Sequence, residues 1–233
     1  MLDFIRIGCA VPDIKVGDVK KNAAQICQMI ARADEQNTDL LIFPELALTG
    51  YTCGDLFYQD TLIRGAEKGL EQVLACAQEH PALTVVVGLP IRSGMKLLNC
   101  AAVISAGKLQ GLASKTWLAD SDGCCESRWF GTAGDEEEAT VAGVTVPVGG
   151  SLLFRVKETR VAAEICEDLF APVAPSALHA LSGAEVIVNL AASPEIAGKR
   201  PARRDRVRAQ SESCKCVYAY CSSGYTESTT DLV

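Results

Sequence analysis

With 233 residues, 48% of them hydrophobic and only 6% aromatic, the chain draws its apolar content mostly from Ala, Val, Leu and Ile. That is enough to bury one substantial core and reads as packed α/β layers rather than a disordered tail. A formal net charge of −7 disfavours nucleic acid or an anionic membrane surface as the main partner. No apolar run approaches the roughly 20 residues that a membrane span needs.

The first segment, Ile5-Arg6-Ile7-Gly8-Cys9, enters a strand directly, with no leader pattern ahead of it. Val19, Ala23, Ile26, Ile30 and Ala33 then recur at helical spacing, which predicts an amphipathic helix over 18–36 with Asp18 as its N-cap. Asp39-Leu40-Leu41-Ile42-Phe43 is a short buried strand that stops at Pro44-Glu45. A second helix covers about 61–79, with Leu62, Ala66, Leu70, Val73 and Ala77 on one face. Thr84 to Gly88 is β-branched and reads as a third strand.

The period then changes. Leu97–Ser105 and Lys108–Ser114 flank Ala106-Gly107 as a hairpin. The segment 120–150 is irregular, rich in Gly and acid, and its run Asp135-Glu136-Glu137-Glu138 reads as a solvated loop. Ser151–Val156 and Thr159–Cys166 form a second hairpin around Lys157-Glu158. A helix near 175–182, a strand Glu185–Leu190, a basic helix near 201–214 and a strand Cys216–Cys221 complete the chain. Strand–helix alternation interrupted by hairpins argues for a layered α/β fold with mixed sheets.

Eleven cysteines, scattered and odd in number, fit reduced thiols in a cytoplasmic protein better than a disulfide framework. Cys124-Cys125 and Cys214-x-Cys216 lack a second well-spaced pair, and His80 and His179 stand apart from other ligands. No metal is expected, and both histidines read as surface or helix-end residues.

One cysteine stands differently. In Val161–Phe170 an apolar strand breaks at Cys166-Glu167-Asp168, a turn that presents a sulfur at the end of a sheet. A lone cysteine is most often inert core filling, so Cys166 needs partners before it counts as a nucleophile. Glu45, in Phe43-Pro44-Glu45-Leu46, and Lys115, in Ser114-Lys115-Thr116, also follow strands. Alone, the first reads more readily as an N-cap or surface acid than as a site residue, and the second as a solvated lysine. Glu126 alone fits an ion pair with Arg128. Together they supply a mechanism: a buried carboxylate takes the thiol proton, while an ammonium and a backbone N–H beyond the cysteine stabilise an oxyanion. No Gly-x-Ser-x-Gly elbow occurs, and no histidine lies near Cys166 in sequence.

Phe43-Pro44-Glu45, Lys115-Thr116-x-Leu118 and Ile165-Cys166-Glu167-Asp168 resemble the Glu-Lys-Cys triad of the nitrilase, or carbon–nitrogen hydrolase, superfamily. Tyr51-x-Cys53-Gly54-Asp55-Leu56-Phe57, Val87-Gly88-Leu89-Pro90-Ile91, Asn99–Ile104, Arg128-Trp129-Phe130 and Glu227–Val233 narrow the resemblance. They look like the glutaminase domain of bacterial glutamine-dependent NAD synthetases, over nearly the whole chain.

The resemblance implies an αββα four-layer sandwich with mixed sheets, in which Cys166 attacks the side-chain amide of glutamine. Glu45 would be the general base, Lys115 would polarise the carbonyl and Glu126 would support them. Tyr51, Ser121, Glu167, Ser193 and Lys199 match positions that line the family's glutamine pocket. Two departures mark this chain: Ser121 stands where the family carries a pocket-closing aromatic, and Gly123-Cys124-Cys125 replaces bulkier residues before Glu126.

The resemblance also implies that residues 1–233 form one C-terminally truncated carbon–nitrogen hydrolase domain. The ATP-dependent synthetase domain is absent, since no Ser-Gly-Gly-x-Asp-Ser loop occurs. ATP and Mg are expected only in that domain, and no cofactor in this one. Its partners would be glutamine or a small amide, a synthetase domain in cis or trans, and further copies of itself. The basic run Lys199–Arg208 lacks interleaved aromatics and fits a solvated helix face or a subunit interface rather than nucleic-acid binding. Two further readings stay open: an amidase for another small amide, favoured by Ser121, and an inactive domain with only an assembly or regulatory role.

Overall fold

The computed structural model describes residues 4–121, 123–134 and 137–227. Its eleven strands form two mixed sheets, each covered on its outer face by helices. The first sheet contains β1 (Ile7–Cys9), β2 (Leu40–Ile42), β3 (Thr84–Ser93), β4 (Lys96–Ser105), β5 (Lys108–Ser114), β6 (Glu137–Val141) and β7 (Val144–Gly149), in the order β1-β2-β3-β4-β5-β7-β6. The second contains β8 (Leu153–Val156), β9 (Thr159–Ile165), β10 (Val186–Ala191) and β11 (Val217–Ser222), in the order β11-β10-β9-β8.

Helices α1 (Val19–Glu35) and α2 (Asp60–Glu79) cover the first sheet. The predicted stripes are the ones they bury: Ile26 and Ile30 of α1, Leu70 and Val73 of α2, packed with Val85, Val87 and Leu89 of β3. Asp18 caps α1 by accepting the Lys21 N–H. Helices α3 (Pro175–Leu181) and α4 (Lys199–Cys214) lie on the second sheet, over Ala162, Ile187 and Cys216. Between the sheets, Leu40, Ile42, Val86 and Val103 meet Val161, Ala163, Val188 and Leu190. The layers are therefore helix, sheet, sheet, helix.

Strand direction brings the ends together. β2 and β3 are parallel, and two antiparallel steps, β3 to β4 and β4 to β5, return β5 to the direction of β2. In the other sheet β9, β10 and β11 are parallel. The C-terminal ends of β2 and β5 thus share one edge, as do those of β9 and β10, and ligands collect at such ends.

The structure departs from the sequence reading in four places. The segment 120–150 is not wholly irregular, since β6 and β7 form a hairpin that β7 adds parallel to β5. Glu137 and Glu138 belong to β6, while Asp135 and Glu136 lie outside the described residues. β3 continues through Pro90 to Ser93 and pairs with β4 along its length. Helix α4 starts at Lys199, two residues early, because Gly198 takes a left-handed φ of 82° that breaks the chain before it. His179 sits in the last turn of α3, a helix end, but not at the surface: it is 3% exposed, and burial lowers its pKa. His80 does sit at a helix end, as the C-cap of α2, bonded to Asp34.

Candidate active site

Glu45 reaches the site through a tight loop. After β2 the chain turns at Pro44 and takes a left-handed conformation at Leu46, with φ of 50°. This loop lies against Gly88 of β3, where an added Cβ would stand 2.3 Å from Leu46 N and 2.6 Å from Pro44 O. Only a residue without a side chain lets the loop pass and turn Glu45 inward. Lys115 follows β5 directly, and its backbone N–H bonds Asn99 O at 2.8 Å. Glu126 opens a short 3-10 turn, Glu126–Arg128, whose Arg128 forks onto Asp55 at 2.8 and 2.9 Å rather than pairing with Glu126.

The three charged side chains form one buried cluster, each 1% exposed. Lys115 Nζ donates to Glu45 Oε1 and to Glu126 Oε1, both at 2.7 Å. Asn99 Nδ2 also donates to Glu45 Oε1, at 2.7 Å, and the Ala192 N–H, just past β10, donates to Glu45 Oε2 at 3.0 Å. Glu126 Oε1 accepts the Tyr51 hydroxyl at 2.8 Å, and its Oε2 accepts the Ala119 N–H at 2.9 Å.

Burial pushes the Glu45 carboxyl up to about 7; Lys115 pulls it down and the neighbouring Glu126 pushes it up again. Burial alone would lower the Lys115 ammonium, but the two carboxylates outweigh it and hold its pKa well above the ordinary value. Two carboxylates on one ammonium leave a weakly compensated charge, and Glu45 is where a proton can rest.

Cys166 follows β9 and opens the 3-10 turn Cys166–Phe170 with φ of 43°. A non-glycine residue there is strained, and such strain persists only where surroundings impose it. Here the Cys166 N–H donates to Asn189 Oδ1 at 3.0 Å. Asp168 Oδ2 accepts the Ile165 N–H at 2.8 Å, while its Oδ1 accepts the Thr116 and Trp117 N–H groups at 3.0 and 2.7 Å. One buried carboxylate thereby ties the cysteine turn to the segment that follows Lys115. Burial lifts its pKa to about 7 against the backbone N–H groups of Ile165 and Trp117.

The Cys166 thiol is buried beside Glu45, Lys115 and the Ala192 N–H. Desolvation first, and Glu45 second, raise its pKa well above the usual value, so it rests as the neutral thiol.

The thiol opens into a cavity of about 160 Å³. Tyr51, Ser121, Glu167, Ser193 and Lys199 all line it, with Ala119, Cys124, Phe170, Ala192 and Pro194. The structure thus brings together all nine residues singled out in the sequence. It adds Asn99, Asp168, Asn189 and the backbone of Ala192, which sequence reasoning missed as site residues. Asn99 and Asp168 stood inside quoted motifs, and that adjacency was the one available signal.

All eleven cysteines are free. Among the described residues no group of three or more His, Cys, Asp or Glu side chains is placed to hold a metal ion, and no helix is long and apolar enough to cross a membrane.

The family model for carbon-nitrogen hydrolases matches residues 6–222. The chain belongs to the carbon-nitrogen hydrolase family. Among curated relatives in this family, a glutamine-dependent NAD(+) synthetase of Mycobacterium leprae is 35% identical over 98% of this chain, and one of Aquifex aeolicus is 32% identical over 93%. The chain spans about a third of the length of these relatives, 34% and 35% respectively. A solved glutamine-dependent NAD(+) synthetase from Cytophaga hutchinsonii superposes with a TM-score of 0.82 at 33% identity, over 95% of this chain and 36% of that one. An amidase from Nesterenkonia sp. shares the fold at a TM-score of 0.76 and 18% identity, over 94% of this chain and 76% of its own.

Proposed function

We propose that this chain is a glutamine amidohydrolase, the glutaminase part of a glutamine-dependent NAD synthetase. The observation that carries the reading is the buried Glu45–Lys115–Glu126 cluster set beside Cys166 at the floor of a small cavity. The names of the relatives point to glutamine as the amide donor.

Cys166 Sγ attacks the carbonyl carbon of the glutamine side chain while Glu45 takes the thiol proton. Coordinated transfer is needed because the thiol is held neutral and Glu45 is poised near 7. The carbonyl oxygen becomes an oxyanion and is met by the Lys115 ammonium. The N–H of Cys166 is committed to Asn189, so a backbone donor for the oxyanion must come from beyond Cys166. The C–N bond then breaks, Glu45 returns its proton to the leaving nitrogen, and ammonia departs from a γ-glutamyl thioester. Water that gives its proton to Glu45 opens the thioester, releases glutamate and restores the thiol. Glu126 keeps Lys115 between the two carboxylates; Tyr51, Ser121, Glu167, Ser193 and Lys199 enclose the substrate.

The ammonia would serve amidation of nicotinic acid adenine dinucleotide by a synthetase domain, in cis or in trans, where ATP and Mg would also act. Glutamate release from glutamine by the purified chain tests the reading. Release that disappears in Cys166→Ala supports it, and no release from either protein rejects it. The small side chains of Ala119, Ser121 and Cys124 on one side of the cavity favour a second reading, an amidase for another small amide. An amide panel would then show turnover of that amide and none of glutamine.

A further inference from the structure

The family model ends at residue 222, yet the next few residues reach the active site. The chain leaves β11 at Ser222 and turns back, carrying Glu227 into the loop that follows Glu45. The Glu227 side chain is 4% exposed. One carboxylate oxygen accepts the Tyr51 N–H at 2.8 Å. The other accepts the Thr52 N–H at 3.3 Å and the Thr52 hydroxyl at 3.0 Å. Gly50, with φ of 86°, turns the backbone so that the two successive N–H groups face the same carboxylate.

Burying a carboxylate is costly unless donors surround it. The gain falls on Tyr51. Its backbone is fixed by Glu227, its ring walls the cavity, and its hydroxyl donates to Glu126 Oε1, the same oxygen that accepts Lys115 Nζ. If Tyr51 swings away, Glu126 loses one of two donors on that oxygen and draws Lys115 from Glu45. The group that meets the oxyanion and the group that takes the thiol proton then change together.

We propose that Glu227 is a positioning residue for the thiol chemistry, acting through the Tyr51 backbone to keep the Tyr51 hydroxyl on Glu126 and Lys115 shared between Glu126 and Glu45. The proposal rests on the reading of Cys166 as the nucleophile and not on glutamine as the substrate. Its test follows from that distinction.

The full chain is treated with iodoacetamide at neutral pH, and carbamidomethylation of Cys166 is followed by peptide mass mapping, in Glu227→Gln, Tyr51→Phe and the double variant. Each single change is expected to slow Cys166 alkylation about tenfold, the effect of roughly one hydrogen bond to a charged group. The double variant should be no slower than either single one, because both act through one contact. If Glu227 acted on Cys166 by a route independent of Tyr51, the two effects would instead multiply to about a hundredfold. That result, or a folded Glu227→Gln chain with the wild-type rate, overturns the proposal. Thr52→Val removes one of the three donors and is expected to slow alkylation in the same direction by a smaller factor. If Glu227→Gln does not fold, an unchanged rate in Thr52→Val overturns the proposal by itself. Absence of glutamate release from the wild-type chain would reject the glutaminase reading and leave this readout intact.

Discussion

Glu45 carries the pH dependence of the site. Its carboxyl stands near 7 because burial disfavours the charged form more than Lys115 favours it. The base must be ionised to take the Cys166 proton. Above about pH 7 it is ready; each unit below leaves roughly a tenth as many active molecules. The kcat/KM for glutamine should therefore fall with unit slope below about pH 7 and level off above it. Glu45→Gln keeps the hydrogen-bond shape but takes no proton, and general-base catalysis is worth roughly 10²- to 10⁴-fold. A loss of that size is expected, together with disappearance of the acid limb. A pH–rate profile with the same limb in Glu45→Gln would assign the proton transfer elsewhere.

At the scale of elements, the site depends on how closely the loop after β2 approaches β3. Gly88 is the contact, and a methyl group there would overlap backbone atoms of Leu46 and Pro44 rather than a movable side chain. Gly88→Ala should cost about 3 kcal/mol, the upper end for overpacking. For a chain of this length that lowers Tm by roughly 6–12 °C. Glu45 should be displaced as well, so glutamate release falls even at temperatures where calorimetry shows the variant folded. An unchanged melt would mean that the loop can move away from β3. The position of Gly88 within a strand was legible in the sequence; its reason was not, because the clash involves residues 42 to 44 positions away. The same limit explains the other omissions. Periodicity and β-branching are local, so α1, α2 and the strands that end near Glu45, Lys115 and Cys166 could be read. The hairpin of β6 and β7 has the Gly and acid content of a loop, and its place is set by a non-local parallel pairing with β5. Beyond its local bond to Ile165, Asp168 holds partners 51 and 52 positions away, while Asn99 and Asn189 bond partners 54 and 23 positions away, and no local pattern announces such distant contacts. His179 lies in the last turn of α3, in keeping with a helix-end residue, but its burial was not legible because seven residues are too few to show which face is buried.

At the scale of the whole molecule, the two helical layers differ. α1 and α2 bury broad apolar stripes, whereas α4 has no buried residue and α3 leaves Leu178 and Leu181 exposed at 59% and 86%. Val173, exposed at 59%, lies on the same side, beside α3. A groove of about 570 Å³ runs between α3 and α4, lined by Val173, Ala177, Ala180 and Leu181 together with Arg206 and Gln210. Apolar side chains rimmed by polar ones mark association surfaces more often than solvent faces. A second copy of the chain, packed through α3 and α4, would cover them, and a stable pair needs roughly 800 Å² on each partner. Light scattering on the purified protein should then give at least twice the 24.7 kDa of one chain. Leu181→Glu places a charge on the most exposed of these side chains without touching the core, so the variant should melt as one cooperative unit but dissociate. Because α4 also packs on the turn that holds Cys166, through Arg206 Nε to Leu169 O at 3.1 Å, dissociation is expected to reduce activity as well. A wild-type chain that scatters as a pure monomer at all concentrations would remove this interface and leave the exposed leucines to face another partner.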